Sequence, residues 1–514
     1  MPTYLTPGVY VEEVPSTSKP IEGVGTSIAA FVGLAPGGPV NTPMRVSNWT
    51  QFAKIFGDVS EPDNGPFMEG AYLAHAVYGF FQNGGGLCWV VRVGAGDGAA
   101  ARPQAALPVA ADKSIEAFRV EALKDVNGGV KVELSEEPGT GEGAEPTYKI
   151  VVDAGTDGKE EYEGLTLKKG RQNLATKVNQ ASKFLKITEA AGLPDSRPAT
   201  GTYTLSAPSA PAEEVKATDF EGDVARRQGM GGLAAVDEIT MVCMPDAMTL
   251  APNGGGDVAL RDLQGKMIAH CESAGDRMAV LDAPPNLLPQ EILEWRMNTA
   301  GYDSKFATLY YPWIEVMDPL TNQPMLVPPS GHVAGVWCRT DASRGVHKAP
   351  ANEVVMGVNG LGFQVTQGEQ GGLNKVGINC IRSFPGRGIR IWGARTLSSD
   401  PEWRYINVRR LFNYVAESIM EGTQWSVFEP NDERLWMQLR IAASNFLTRT
   451  WREGALFGAT PEQAFFVKCD AETNPPDVIE AGQVICEIGI APVKPAEFVV
   501  FRLSQYSAGA SEVE

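Results

Sequence analysis

Residues 373–397 read LNKVGINCIRSFPGRGIRIWGARTL, and this stretch with its continuation to Asp432 decides how the chain is interpreted. The glycines at its start predict a loop, and the alternating Ile389 and Ile391 predict a short buried strand. Residues 398–403 then carry Ser, Asp and an early Pro, which satisfy or dispense with the free N–H groups of a first helical turn. The helix predicted after them has one apolar face that needs a partner, made of Ile406, Leu411, Phe412, Val415 and Ile419.

Three sequence segments of this region have a distinctive order and spacing: Ile391–Leu397, Tyr405–Arg410 and Gln424–Asp432. They closely resemble the C-terminal region of contractile tail sheath proteins. Those proteins form the outer cylinder of contractile phage tails and of phage-tail-like injection systems. The similarity continues through Leu435–Trp436, Gly454–Leu456 and Ile488–Phe498.

The resemblance implies a structural subunit that polymerises as stacked, hexameric helical rings around an inner tube. Contraction of these rings is expected to drive the tube through a target envelope. The implied partners are many copies of the chain itself, an inner tube protein, and baseplate and tail-terminator proteins. No cofactor, no direct contact with nucleic acid and no membrane insertion are implied. The expected location is the bacterial cytoplasm during assembly, and then a virion tail or phage-tail-like particle that lysis can release.

Length and composition set limits that do not depend on the resemblance. A chain of 514 residues is too long for one ordinary core, so several domains are expected. Its 43% hydrophobic and 21% charged residues are typical of a globular protein. No apolar run reaches membrane-spanning length, and Met1–Tyr4 lacks the basic and apolar parts of a signal peptide. Synthesis in a cytoplasm is therefore expected.

Charge is unevenly distributed along the chain. The net charge of −18 argues against a protein that coats nucleic acid, because phosphate binding needs a cationic face. Acidic residues concentrate in 133–145 and 153–163, whereas the region 339–410 is rich in arginine. Such asymmetry favours complementary contacts between copies or with another acidic protein. Two roles remain open for seven arginines of this region. They either contact the inner tube or a neighbouring subunit, or they form a face that is paired internally or solvated. The seven are Arg382, Arg387, Arg390, Arg395, Arg404, Arg409 and Arg410.

Cysteine and histidine positions argue against a metal centre. The seven cysteines are scattered, mostly flanked by apolar residues, and lack the C-x-x-C spacing of a zinc site. The four histidines lie far apart in the sequence. The cysteines are predicted to be small buried hydrophobic residues without a disulfide framework.

The order of predicted elements indicates an α/β multidomain fold. It has a central α/β sheet domain with helices, an inserted β-rich domain, and an α+β C-terminal assembly domain with extended terminal β-strand arms. Strands separated by helices between Ile239 and Trp313 predict parallel pairing. The predicted boundaries are 1–24 (N-terminal arm), 25–95 (core, first part), 96–222 (inserted outer domain), 223–365 (core, second part), 366–494 (assembly domain) and 495–514 (C-terminal arm and tail).

A single strand is predicted close to each end of the chain. Neither is joined to a neighbouring strand by a hairpin turn, so each must pair with a partner distant in sequence or in another molecule. A first strand of the domain's own sheet is the simpler interpretation of the N-terminal one. The resemblance instead implies intersubunit arms that act by β-strand augmentation. The arm residues are Gly8, Val9, Tyr10, Val11, Glu12 and Val14, and Glu497, Phe498, Val499, Val500, Phe501 and Leu503.

Sequence features that could indicate an enzyme are weak. Gly84–Gly86 precedes a predicted strand, whereas a phosphate-binding loop follows a strand and opens a helix. The core of sheath proteins has been likened to subtilisin, so a serine hydrolase was considered from Ser330, His332 and either Asp282 or Asp341. Their spacing does not support it, and a helix start is the expected role of Ser330. A non-contracting tail or baseplate protein is the other alternative.

Overall fold

The computed structural model describes residues 20–57, 65–94, 104–110, 116–123, 130–138, 146–155, 158–168, 170–189, 197–205, 215–251 and 258–503. The predicted N-terminal arm, residues 8–14, lies outside these residues. The chain divides into two compact units, and each is described by itself. Unit 1 contains the described residues of 1–24, 344–349 and 405–514, and unit 2 contains those of 25–343 and 350–404.

The described residues form twenty strands and twelve α-helices. The strands are β1 Ile28–Gly33, β2 Met44–Val46, β3 Leu87–Arg92, β4 Gln104–Pro108, β5 Glu116–Ala122, β6 Lys131–Glu137, β7 Thr147–Asp153, β8 Lys159–Leu165, β9 Leu185–Glu189, β10 Gly201–Thr204, β11 Met241–Cys243, β12 Met278–Asp282, β13 Ala307–Tyr311, β14 Ile314–Met317, β15 Pro324–Val327, β16 Gly360–Leu361, β17 Ile378–Phe384, β18 Gly388–Ile391, β19 Phe465–Lys468 and β20 Glu487–Ile490. The helices are α1 Trp49–Phe56, α2 Leu73–Gln82, α3 Leu174–Ala181, α4 Ala217–Glu221, α5 Val258–Ala274, α6 Pro289–Glu294, α7 Ser330–Arg344, α8 Gln367–Lys375, α9 Ile406–Thr423, α10 Glu433–Arg452, α11 Pro461–Ala464 and α12 Pro476–Glu480.

Unit 2 is built on an eight-stranded sheet with the order β18-β17-β13-β12-β11-β1-β3-β2. Pairing is parallel from β17 to β3 and antiparallel at each edge strand. The central strands β11, β12 and β13 are buried along their whole length, as continuous apolar strands covered on both faces should be. The predicted α/β core with parallel pairing is confirmed.

Local signals define the helices that cover this sheet. Asn48 caps α1, because its side-chain oxygen accepts the N–H of Gln51 at 2.8 Å. Helix α5 has Leu260, Leu263 and Met267 buried on one face, as its apolar spacing predicts.

Residues 104–205 of unit 2 form a β-rich part with its own core. Strands β10-β6-β7-β8 make one antiparallel sheet and β4-β5-β9 make another. Side chains of both sheets and of α3 share one buried cluster that contains Phe118, Ile150 and Leu185. The acidic stretch 153–163 contributes to β8, an edge strand in which Lys149 of the neighbouring strand bridges Glu161 and Glu163.

The predicted start of the assembly domain at residue 366 is wrong. Residues 366–404 belong to unit 2, because β17 joins its main sheet through the parallel pair Leu309 and Ile378. The loop predicted from Leu373 is also wrong. Helix α8 and strand β17 occupy this region, and the turn at Gly377 between them has φ +81°, which favours glycine.

Unit 1 contains helices α9 to α12 and the two-stranded antiparallel sheet β19-β20. The amphipathic helix predicted after residue 403 is confirmed as α9, and α10 follows the segment Gln424–Asp432. Asp432 caps α10 by accepting the N–H of Leu435 at 2.9 Å. The core of the unit combines Leu411 and Val415 of α9 with Phe446 and Leu447 of α10.

Candidate assembly surface

The segment that follows β20 is fixed at its start. Phe457 donates its N–H to the carbonyl of Ala491 at 2.8 Å, and Val493 donates to the carbonyl of Ala455 at 3.2 Å. Asn407, in the first turn of α9, donates to the carbonyl of Val493 at 3.0 Å. The Tyr405 hydroxyl then donates to Glu497 at 3.1 Å. Residues 491–497 are therefore held within unit 1 by loop and helix contacts.

The C-terminal segment, defined here as residues 498–503, differs sharply from the residues before it. It is not in a strand, and no backbone hydrogen bond joins it to the rest of the described chain. Five of its six side chains are apolar and largely exposed: Phe498 72%, Val499 69%, Val500 78%, Phe501 85% and Leu503 98%. A continuous exposed apolar stretch of this kind is typical of a surface that binds another protein.

A second feature of unit 1 is the hairpin sheet β19-β20. Its strands pair from Phe465 with Ile490 to Lys468 with Glu487. In the part of the chain that the structure describes, neither outer edge pairs with a third strand. One face packs on the core of unit 1, while Phe466 on the other face is 58% exposed. Two-stranded sheets are marginal alone, and their open edges can accept an additional strand.

The loop between α9 and α10 contains a candidate that the sequence did not single out. Phe428 has a fully exposed side chain, and the neighbouring Val427 is 61% exposed. The φ of Phe428 is +67°, a conformation that is unfavourable for a bulky side chain. Residues held this way often serve a function. The resemblance of segment 424–432 to sheath proteins is the sequence feature that could have identified Phe428 as a candidate.

Four of the predicted arginines lie together around the β17-β18 hairpin of unit 2. Arg387 and Arg390 both bond Asn352, the first at 3.2 Å to its side chain and the second at 2.7 Å to its carbonyl. Arg382 donates to Gln370 at 2.8 Å, and Arg395 donates to the carbonyl of Asn374 at 3.0 Å. Of these four side chains, Arg387 is exposed and the other three are half-buried. Arg404, which lies outside the hairpin in the same unit, is also exposed.

The structure contradicts an exposed role for Arg409 and Arg410. Both are buried in α9 of unit 1, with 8% and 4% of their surface exposed. Arg409 donates to Asn413 at 2.8 Å and lies over the ring of Phe412. Burial lowers the pKa of Arg409 to about 10. Both arginines stabilise the interior of unit 1 and are unavailable to a partner.

The residues considered for a serine hydrolase form a structural contact instead. Asp282, at the end of β12, accepts the N–H of Ser330 at 2.8 Å and its hydroxyl at 2.6 Å. This carboxyl therefore caps α7. Ser330 and Asp282 are 0% and 2% exposed, and burial raises the pKa of Asp282 to about 7.

His332 and Asp341 do not complete a catalytic set with Ser330. His332 is buried, its Nδ1 has no hydrogen-bond partner in the described chain, and burial lowers its pKa to about 3. Asp341 accepts the hydroxyls of Thr26 and Ser27. A neutral histidine that does not bond the serine hydroxyl cannot act as its base.

The usual ligand position of an open α/β sheet is filled by the protein itself. Ligands of such folds bind outside the carboxyl ends of the strands, where strand order reverses. Here Asp246 follows β11 and accepts the N–H of Leu34 at 2.7 Å, and those of Tyr72 and Leu73 at the start of α2. A Cβ on Gly33 would lie 2.3 Å from this carboxyl, so glycine is required there. The start of α2 therefore cannot also bind a phosphate.

None of the helices among the described residues combines the length and apolarity needed to cross a membrane. No cluster of three or more His, Cys, Asp or Glu side chains that suits a metal ion occurs in the same residues.

Comparison with known families resolves the identity of this fold. A model described as the phage tail sheath protein central domain matches residues 232–397, and one described as the phage tail sheath C-terminal domain matches residues 398–505. The chain belongs to the phage tail sheath family. The predicted family is thus confirmed, and this sheath protein is a subunit of a contractile tail or phage-like system.

Relatives extend the similarity over the whole sheath protein. The tail sheath protein of Burkholderia phage BcepMu is 25% identical over 510 residues, which cover 96% of this chain and 95% of that one. The contracted helical sheath of the anti-feeding prophage is 25% identical with a TM-score of 0.58, covering 98% of this chain and 100% of that chain. The six-fold symmetrised baseplate structure of the same system gives 25%, a TM-score of 0.57 and the same coverage.

Proposed function

We propose that this sheath protein polymerises as stacked hexameric rings around an inner tube, and that contraction of the array drives the tube through a target envelope. The exposed C-terminal segment, which forms no backbone hydrogen bond with the rest of the described chain, is the observation that carries the proposal. It presents five apolar side chains that water solvates poorly. The six-fold symmetry of the related anti-feeding prophage baseplate supports the hexameric ring.

We further propose that the C-terminal segment adds as a strand to the open sheet β19-β20 of a neighbouring copy. Strand addition would pair main-chain groups for which the described part of the chain provides no backbone partner. The anchored residues 491–497 fix the point from which the arm leaves its own unit. The N-terminal residues Gly8, Val9, Tyr10, Val11, Glu12 and Val14 are proposed as the second arm.

Contraction is proposed to move the folded units as rigid bodies while the arms keep neighbours connected. Interfaces and packed cores switch between discrete arrangements more readily than they deform. Each subunit needs to contribute only a few kcal/mol, because many copies change state together. The proposed role is structural and uses no cofactor, no bound nucleotide and no catalytic residue.

The exposed part of the arginine set is proposed to contact the inner tube or the next subunit. Arg387 and Arg404 are its best candidates because both are exposed on unit 2. Arg382, Arg390 and Arg395 are proposed to hold the hairpin in shape through their internal hydrogen bonds. Arg387→Glu with Arg404→Glu should abolish co-assembly with the tube protein or with neighbours. Normal co-assembly of this pair would overturn the assignment.

A proline scan tests the strand geometry directly. N–H groups of a strand alternate between its two edges, so the N–H groups of Val499 and Val500 face opposite sides. If the segment pairs along one edge, Val499→Pro and Val500→Pro should differ strongly, with one abolishing polymerisation. Equal tolerance of proline at both positions would exclude strand addition.

A baseplate role is the second candidate, because the matched anti-feeding prophage structure is a baseplate. The two roles predict different particles. A sheath subunit should extend into long striated cylinders when concentrated, whereas a baseplate subunit should stop at discrete rings. Electron microscopy of the assembled chain separates them.

A further inference from the structure

Two of the seven cysteines face each other at the base of the β19-β20 hairpin. The register pairs Lys468 with Glu487, so the next opposing positions are Cys469 and Cys486. Opposing residues of an antiparallel pair have Cα atoms about 4.5–5.5 Å apart, within the range that a disulfide spans. Both residues belong to one packed cluster at the end of α10, and the neighbouring Cys469 helps to raise the pKa of the Cys486 thiol, after burial.

Neighbouring contacts fix this pair on both sides. Cys469 packs against Leu435 and Leu439 of α10, and its carbonyl accepts Arg440 at 3.0 Å. Beyond the pair, the buried Asn474 bonds both the N–H and the carbonyl of Ile485, at 2.7 and 3.0 Å. Both cysteines are therefore held in place by folded structure.

Exposure distinguishes Cys486 from Cys469 and from the other five cysteines. Cys469 is fully buried, whereas Cys486 is partly exposed. The remaining five cysteines, Cys88, Cys243, Cys271, Cys338 and Cys380, are all buried. A soluble oxidant can thus reach Cys486, and Cys469 is positioned to react with it next.

We propose that Cys469 and Cys486 form a dithiol site that a low-molecular-weight disulfide oxidises to an intramolecular bond, locking the base of the β19-β20 hairpin. This inference goes beyond the proposed assembly function and does not depend on it. The bond would close the loop 470–485, which contains α12. Closing a loop by a disulfide restricts the unfolded chain and stabilises the folded one.

The chemistry balances with glutathione disulfide as the oxidant. Cys486 loses its proton, and its thiolate attacks one sulfur of glutathione disulfide, which releases one glutathione thiolate. The Cys469 thiolate then attacks the Cys486 sulfur of this mixed disulfide and releases the second. Two protein thiols lose two protons and two electrons, and one glutathione disulfide becomes two glutathione molecules.

Differential alkylation with peptide mass spectrometry tests the proposal on the full chain. The reduced chain is incubated with glutathione disulfide, alkylated after denaturation and digested. The expected product is a peptide pair linked through Cys469 and Cys486, with the other five cysteines alkylated. Oxidation should accelerate about tenfold for each pH unit from about 7 to about 9, since burial raises the pKa of Cys486 to about 12. An exposed free thiol would level off near its ordinary pKa.

Two variants make the result decisive. Cys469→Ser should leave Cys486 as a stable mixed disulfide carrying one glutathione. Cys486→Ser changes the partly exposed partner and should remain unmodified. Oxidation should raise the melting temperature of the wild-type chain and leave that of Cys486→Ser unchanged. A wild-type chain that keeps both thiols free, stops at the mixed disulfide or links Cys486 to another chain would overturn the proposal, as would an oxidised chain with a lower melting temperature.

Discussion

Replacing Phe501 by alanine should weaken polymerisation without weakening the folded chain. The side chain is 85% exposed, so its removal leaves no cavity. Surface changes of this kind alter the free energy of unfolding by about 0.5 kcal/mol or less. If a neighbouring copy buries the ring, its loss costs about 2–3 kcal/mol for each contact. At about 1.4 kcal/mol for each factor of ten, the critical concentration for polymerisation should rise roughly 30- to 150-fold.

Sedimentation across a concentration series measures this shift, and urea unfolding measures the stability of the unassembled chain. Val224→Ala is the matched control, because Val224 is also an apolar residue, 64% exposed, but lies in unit 2. It should change neither quantity. An unchanged critical concentration for Phe501→Ala, or an equal rise in the control, would refute the reasoning that this segment is a specific contact.

Two further predictions concern the stability of unit 2. Burial raises the pKa of Asp246 to about 7 from an unfolded value near 3.8, so its contribution is present below about pH 3.8 and lost as pH rises through about 7. In urea unfolding, Asp246→Asn should therefore gain stability relative to wild type as the pH rises from about 4 to about 7. The exposed Asp237→Asn is the surface control. A difference between Asp246→Asn and wild type that does not change with pH would contradict this. Gly331→Ala should lower the free energy of unfolding by about 3 kcal/mol or more, because the added Cβ would lie 2.3 Å from the carbonyl oxygen of Ala76. Gly265→Ala has open space around its Cβ and should raise the free energy of unfolding by about 0.5–1 kcal/mol. Equal melting temperatures for the two variants would rule out this close contact at Gly331.

The sequence is most informative about helix starts that carry a local capping residue. Asn48 and Asp432 are residue types that favour a helix N-cap, and each accepts the backbone N–H that a cap should accept. Helix α8 was missed because its glycines predict a loop. The structure forms it through a capping box, in which Thr366 and Glu369 bond each other's backbone N–H groups, and through the burial of Leu373.

The candidate assembly surface is only partly predictable from the sequence, because side-chain burial depends on contacts between residues that are distant in sequence. An arginine pattern does not reveal which face of a helix is buried, so Arg409 and Arg410 were grouped with exposed arginines. The role of Asp246 depends on N–H groups more than 170 residues away in sequence. The resemblance identified the terminal segment and the loop 424–432, but only coordinates show the exposure of Phe498 and the backbone conformation of Phe428.

Electron microscopy of the purified chain, compared with a chain that ends at Glu497, tests the central claim most directly. The full chain should form striated cylinders of stacked rings as its concentration rises. The shortened chain should keep the same melting temperature and remain dispersed. Cylinders formed equally well by both chains, or by neither, would contradict the claim that residues 498–503 join one copy to the next.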